Sequence, residues 1–206
     1  LTSLDKLKGR KLAALFPHEL PTLILHRLLK FQGIDPKTDI EITATATPLE
    51  AMQLLVLGRV DAALVPEPAA SAAIVKGAIA GKTIHRVIDL QTEWAKMRDG
   101  ETRLPQAGLA VTDHFRNEHP DLIKEIQIGL TNAAADVNAN PARAANNSVS
   151  QLGLPWPVIE KSIAFSRLVA TPAHEARKPI EGVIETLLEA NPGYVGGRLP
   201  DDGFYL

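Results

Sequence analysis

The stretch Gly58-Arg-Val-Asp-Ala-Ala-Leu-Val-Pro-Glu-Pro68 constrains the fold of this chain more than any other. It reads as a helix stop at Gly58, a short buried strand from Val60 to Val65, and a new helix opening at Glu67-Pro68. Glycine just past an apolar helix is the usual terminating residue, and proline suits the first turn of the next helix. Such a strand–loop–helix joint turns backbone N–H groups and the positive end of a helix dipole toward the carboxyl edge of a sheet. Open α/β sheets hold ligands there. The joint speaks for binding and is silent on catalysis.

The segments around this joint repeat its alternation. Lys11 to Phe16 is a short apolar run of strand type, and Thr22 to Gln32 follows with Leu25, Leu28 and Leu29 at helical spacing before Gly33. Asp39 to Thr45 alternates as a half-buried strand, Pro48 to Leu57 is helical, and Ala69 to Ile79 is an Ala-rich helix ended by Gly81. Thr83 to Leu90 is expected to add one more strand. Repeated βαβ units imply a mostly parallel sheet covered by helices. Beyond Leu90 the pattern changes. A short helix or loop over Gln91 to Arg98 and a linker from Arg103 to Gly108 lead to an expected strand, Leu109 to Thr112. A long helix opens at Pro120 with Ile123, Ile126, Leu130, Ala134 and Val137 on one face. Asn140-Pro141 breaks it into another helix running to about Val149. Pro157 to Phe165 and Pro172 to Ala190 are two more, separated by a further strand over Arg167 to Ala170. The second half therefore offers amphipathic helices without a sheet of its own to cover.

Composition narrows the chemistry. With 206 residues, 45% hydrophobic and 22% charged, the chain can bury a substantial core. A formal charge of -2 supplies no basic field for a nucleic-acid backbone, so nucleic acid is not an expected partner. No cysteine is present, which excludes disulfides, thiolate metal sites and cysteine nucleophiles. No apolar run approaches the roughly 20 residues that span a bilayer. The opening Leu1-Thr-Ser-Leu-Asp-Lys-Leu-Lys8 lacks both an initiator Met and the apolar core of a signal peptide, and is expected to lie inside a longer polypeptide.

Several segments carry a resemblance. Leu7-Lys-Gly-Arg-Lys-Leu12, Leu28-Leu-Lys-Phe-Gln-Gly-Ile-Asp-Pro36 and the Gly58–Pro68 joint are joined by Leu104-Pro-Gln-Ala-Gly-Leu109, Glu118-His-Pro-Asp-Leu122, Asn138-Ala-Asn-Pro141 and Val195-Gly-Gly-Arg-Leu-Pro-Asp-Asp-Gly-Phe-Tyr205. In that order and spacing they resemble the nitrate/sulfonate/taurine (SsuA/NMT1-like) group of ABC-importer substrate-binding proteins. The resemblance implies a periplasmic-binding-protein-like α/β fold of type II, with two lobes joined by a hinge. On that basis residues 1–8 are a linker, 9–105 the second α/β lobe, and 106–206 a mostly helical return to the first lobe with a C-terminal tail. The N-terminal half of the first lobe, roughly a hundred residues by ordinary domain size, is expected to be absent from this chain. The implied function is a non-catalytic solute receptor of an ABC importer. It captures a small organic anion or zwitterion between lobes and delivers it to a permease with its ATPase. The expected place is the periplasm or cell surface, outside the cytoplasmic membrane.

Candidate ligand-binding residues are His18, Glu19, Leu20, Glu67, Gln91, Trp94 and Gln106. Backbone N–H groups from His18 to Leu20 are placed to face an anionic group. Glu19 would repel one, which leaves cationic, zwitterionic and neutral ligands open; the plain alternative is a capped turn with Pro21 in the helix. Glu67 accepts from a ligand or from the opposite lobe, or is a first-turn acid worth about 0.3–1 kcal/mol. Trp94 and Gln91 stand near the expected hinge, where the indole either covers ligand or packs structurally. Gln106 lies in the second hinge crossing. His114 and His119 have no third metal ligand at suitable spacing, and no serine stands in a Gly-x-Ser-x-Gly elbow. No glycine-rich phosphate loop is present, so neither metal nor cofactor is expected. Asp201-Asp202 reads as a solvated turn. Two rival readings remain: a biosynthetic enzyme of the same fold, similar to pyrimidine-precursor synthases, and the ligand-sensing domain of a regulator.

Overall fold

A computed structural model describes all 206 residues, which divide into two compact units. Unit 1 comprises Leu1–Arg103 with Thr186–Gly197, and unit 2 comprises Leu104–Glu185 with Arg198–Leu206.

Unit 1 is built on a three-stranded parallel sheet of order β2-β1-β3, formed by β1 (Lys11–Leu15), β2 (Glu41–Thr45) and β3 (Ala62–Ala63). The register runs from Lys11 opposite Glu41 to Leu15 opposite Thr45 on one side of β1, and pairs Leu12 with Ala62 and Ala13 with Ala63 on the other. Leu12, Ala13 and Ala14 of the central strand are buried, which is why the run reads as continuously apolar. Three helices connect or follow the strands: α1 (Leu20–Phe31), α2 (Pro48–Leu57) and α3 (Ala69–Ile79); α4 (Leu90–Met97) comes next.

Each helix follows from local chemistry. α1 buries Ile24, Leu25, Leu28 and Leu29, a stripe at helical spacing in which each side chain contributes about 1.5–3 kcal/mol. α2 begins with Thr47, whose hydroxyl accepts the Glu50 N–H at 3.2 Å, while the Glu50 carboxylate reaches back to the Ala46 N–H at 2.8 Å. It ends at Gly58, whose φ of 72° is the left-handed conformation that glycine adopts without strain. The next residue, Arg59, donates its N–H to Leu54 O, and Val60 packs with Ala13 and Ala51 in the core.

Unit 2 is helical: α5 (Asp113–Glu118), α6 (Pro120–Ala139), α7 (Pro141–Leu152), α8 (Trp156–Ser166) and the first part of α9 (Arg177–Ala190). Its core gathers Ala145, Val158, Ile159 and Ile163. α6 contributes no buried residue in twenty, and Leu122, Ile128 and Leu130 stand exposed on it. Asp202 is exposed in a short terminal turn, as the sequence suggests, and accepts there from Arg177, whose Nη1 donates to Oδ1 at 2.6 Å. The same guanidinium donates to Glu181 and lies 4.6 Å from the centre of the Tyr205 ring, so it fastens the C-terminal residues.

Three expected strands are not strands. Residues 83–89, 109–112 and 167–170 have no ladder partner, and the strand expected over Val60 to Val65 pairs only at Ala62–Ala63. β-branched composition describes a side chain's fit to a pleated surface, and a ladder also needs a neighbour. The helix expected from Pro172 begins at Arg177, and α5 was not anticipated as a separate element.

Candidate functional site

Because the three strands run parallel, their carboxyl ends share one edge, and the N-termini of α1, α2 and α3 follow from it. Two hydroxyls tie the edge together. Thr45 Oγ1 donates to Ala14 O at 3.0 Å, and Thr22 Oγ1 donates to Leu15 O at 2.8 Å, so these buried groups are satisfied.

The β1–α1 turn carries Phe16, Pro17, His18 and Glu19, all exposed. His18 does not stand alone. Its Nδ1 lies 2.8 Å from the hydroxyl of Tyr194, and the two rings meet edge to face with centroids 6.3 Å apart. Glu19 precedes the helix without capping it, while its carbonyl accepts the N–H groups of Thr22 and Leu23. Leu20 is the first residue of α1 and half-buried.

Glu67, in the β3–α3 turn, is occupied internally. Its side chain is only 10% exposed; Oε2 accepts the Ser71 N–H at 3.1 Å, and Oε1 accepts Arg86 Nε at 2.7 Å. Arg86 Nη2 also donates to Ser71 Oγ at 2.6 Å. The acid is thereby ion-paired at the edge and holds the Ser71 N–H in the first turn of α3.

The remaining candidates lie elsewhere. Gln91 sits in the first turn of α4, its N–H donated to Asp89 Oδ1 at 2.9 Å. Trp94 is fully buried at 0% exposure, so it presents no surface to a ligand; its indole packs in unit 1 with the guanidinium groups of Arg27 and Arg98 about 6 Å from the ring centre. Its role here is core packing, which corrects the expectation of a ligand cover. Gln106 is exposed in the irregular segment that opens unit 2. Within unit 1, the structure therefore places His18, Glu19, Leu20 and Glu67 in the turns that follow the strands, Gln91 in the first turn of α4 and Trp94 in the core; Gln106 belongs to unit 2.

Three contributors were missed from sequence. Thr47 shapes the middle turn of the edge, and the Thr-x-x-Glu spacing to Glu50 was signal enough to find it. Arg86 and Tyr194 carried no such signal, because their partners lie 19 and 176 residues away. No three His, Asp or Glu side chains cluster as metal ligands; His114 and His119 instead approach Glu118 at 3.2 and 4.0 Å. No helix is long and apolar enough to cross a membrane. Unit 1 has a surface hollow of about 430 Å³ beside Lys30, Asp35 and Lys37, and unit 2 one of about 530 Å³ between α6 and residues 170–175.

Comparison with known proteins places this geometry. A sequence model of the NMT1-like family matches residues 2–151. A solved ABC transporter structure from Parabacteroides distasonis aligns over 97% of this chain and 66% of its own, with a TM-score of 0.79 and 20% identity. The periplasmic aliphatic sulphonate binding protein SsuA from Escherichia coli aligns over 92% of this chain and 60% of its own, at 0.66 and 22%. The alkanesulfonate-binding protein SsuA from Xanthomonas axonopodis pv. citri, solved with MOPS, aligns over 98% and 62%, at 0.58 and 20%. The chain thus spans less than two thirds of the length of these structures, and shares their α/β, periplasmic-binding-protein-like fold. No curated protein sequence matches it.

Proposed function

Because the chain belongs to the NMT1-like family, we propose that it serves as the solute-binding receptor of an ABC importer, without catalysis of its own. The observation that carries this reading is the shared edge, where three parallel strands end and three helix N-termini begin. Aligned helix dipoles favour negative charge at such an edge. The Arg86 ion pair removes the repulsion that a bare Glu67 would exert there. Both features support a small organic anion or zwitterion as the solute. Sulfonates are the natural first members to try, since two structures of this fold are of sulfonate-binding proteins.

The finer picture belongs to the same proposal. Residues 9–105 act as one lobe of a two-lobed receptor, residues 106–206 contribute to the other, and ligand shifts an equilibrium between open and closed forms. The loaded form docks on a permease with its ATPase, outside the cytoplasmic membrane. Calorimetric titration of the purified protein with alkanesulfonates, taurine and small carboxylates tests the reading. The expected result is saturable binding of at least one anion or zwitterion, recovered chemically unchanged. Heat from none of them, or release of a product, refutes it.

A further inference from the structure

We propose that Tyr194 is a positioning residue of the ligand edge, fixing His18 in the tautomer that presents an Nε2–H donor. The inference rests on the receptor reading and names what that site offers a solute. Between a phenol and an imidazole, the imidazole nitrogen is the stronger acceptor and the phenol the stronger donor. At 2.8 Å the favoured arrangement is therefore Tyr194 O–H donating to His18 Nδ1. The ring proton then resides on Nε2, and the tautomer follows from the partner on the other nitrogen. The edge-to-face contact between the rings holds the imidazole plane as well as its proton.

The surroundings say what this donor is for. His18 lies in the turn at the carboxyl edge, next to Phe16, which is 49% exposed, and Tyr194 is itself 41% exposed. The chain has nine aromatic residues, two Trp, two Tyr and five Phe, and two of them stand exposed at this turn. Exposed aromatic surface beside an oriented N–H suits a solute with an apolar body and an acceptor oxygen. A bare inorganic oxyanion would use the donor and leave the aromatic surface uncovered.

Two measurements on the purified protein test this. Long-range nitrogen-15 spectra of the ligand-free protein should show His18 as the Nε2–H form, shifting toward a tautomer mixture in Tyr194→Phe. Titration with hexanesulfonate should show about tenfold weaker binding to Tyr194→Phe at unchanged melting temperature, the effect of losing one orienting hydrogen bond. Inorganic sulfate should bind more weakly than hexanesulfonate to the wild type. An Nδ1–H form in the wild type, or equal affinity of wild type and Tyr194→Phe, overturns the inference while leaving the receptor reading intact. If hexanesulfonate does not bind the wild type although the tautomer responds as expected, the receptor reading at this edge fails, and the inference fails with it.

Discussion

Glu67 shows how a residue that reads as ligand-facing can be consumed by its own fold. Its carboxylate serves the Ser71 N–H and the Arg86 guanidinium at once. Glu67→Ala would leave a partly buried donor and a partly buried cation without it. A loss of about 1–3 kcal/mol is expected in urea denaturation, and a loss under a few tenths would return Glu67 to the ligand surface. His26, on α1, makes a different prediction. Burial and, less strongly, the nearby charges of Lys30 and Lys37 hold its pKa below the ordinary 6.5. Its Nε2 is buried without a hydrogen-bond partner. The unfolded chain therefore takes up a proton at this position before the folded one does. The stability conferred by the neutral ring is complete above 6.5 and is lost as pH falls through the lower folded value. Between about pH 7.5 and about pH 5 the wild type should lose more stability than His26→Leu; equal losses would show that the shift is absent.

At the scale of elements, α1 and α6 are opposites. α1 buries five residues, counting Thr22, whereas α6 buries none over its 20 residues. Amide hydrogen exchange should therefore be slow along the centre of α1 and markedly faster along α6, and comparable protection in both would contradict this. The helices were largely legible in the sequence, since apolar spacing, Pro at the start and Gly at the stop are local signals: Pro48 and Gly58 bracket α2, and Asn140-Pro141 divides α6 from α7. The strands were legible only where the chain itself supplies a neighbour. Residues 167–170 have strand composition, yet the structure uses them otherwise. Asn138 Nδ2 donates to Leu168 O at 2.8 Å, and Thr131 Oγ1 to Ala170 O at 3.1 Å, so α6 side chains hold the backbone. The same limit applied to the site. The turns at His18 and Glu67 could be read, because a strand followed by a capped helix is a local pattern. Tyr194 and Arg86 could not, because tertiary folding alone makes them partners.

For the whole molecule, the division into two units makes ligand binding a spatially selective event. If solute is captured at the carboxyl edge of the unit 1 sheet, it should slow amide exchange at the starts of α1, α2 and α3 and raise the melting temperature. A ligand at 100 times its Kd adds about 2.7 kcal/mol. Protection appearing only in α7 and α8 would move the site away from the edge. The sheet itself has a consequence for how the protein comes into being. β1 is central, and its backbone bonds to Asp61 close a loop of 50 residues. A ribosome emits Leu12, Ala13 and Ala14 long before β2, and longer still before Ala62 and Ala63. Until then the central strand of the nascent polypeptide has no ladder partner, and its apolar side chains stay open to misassociation.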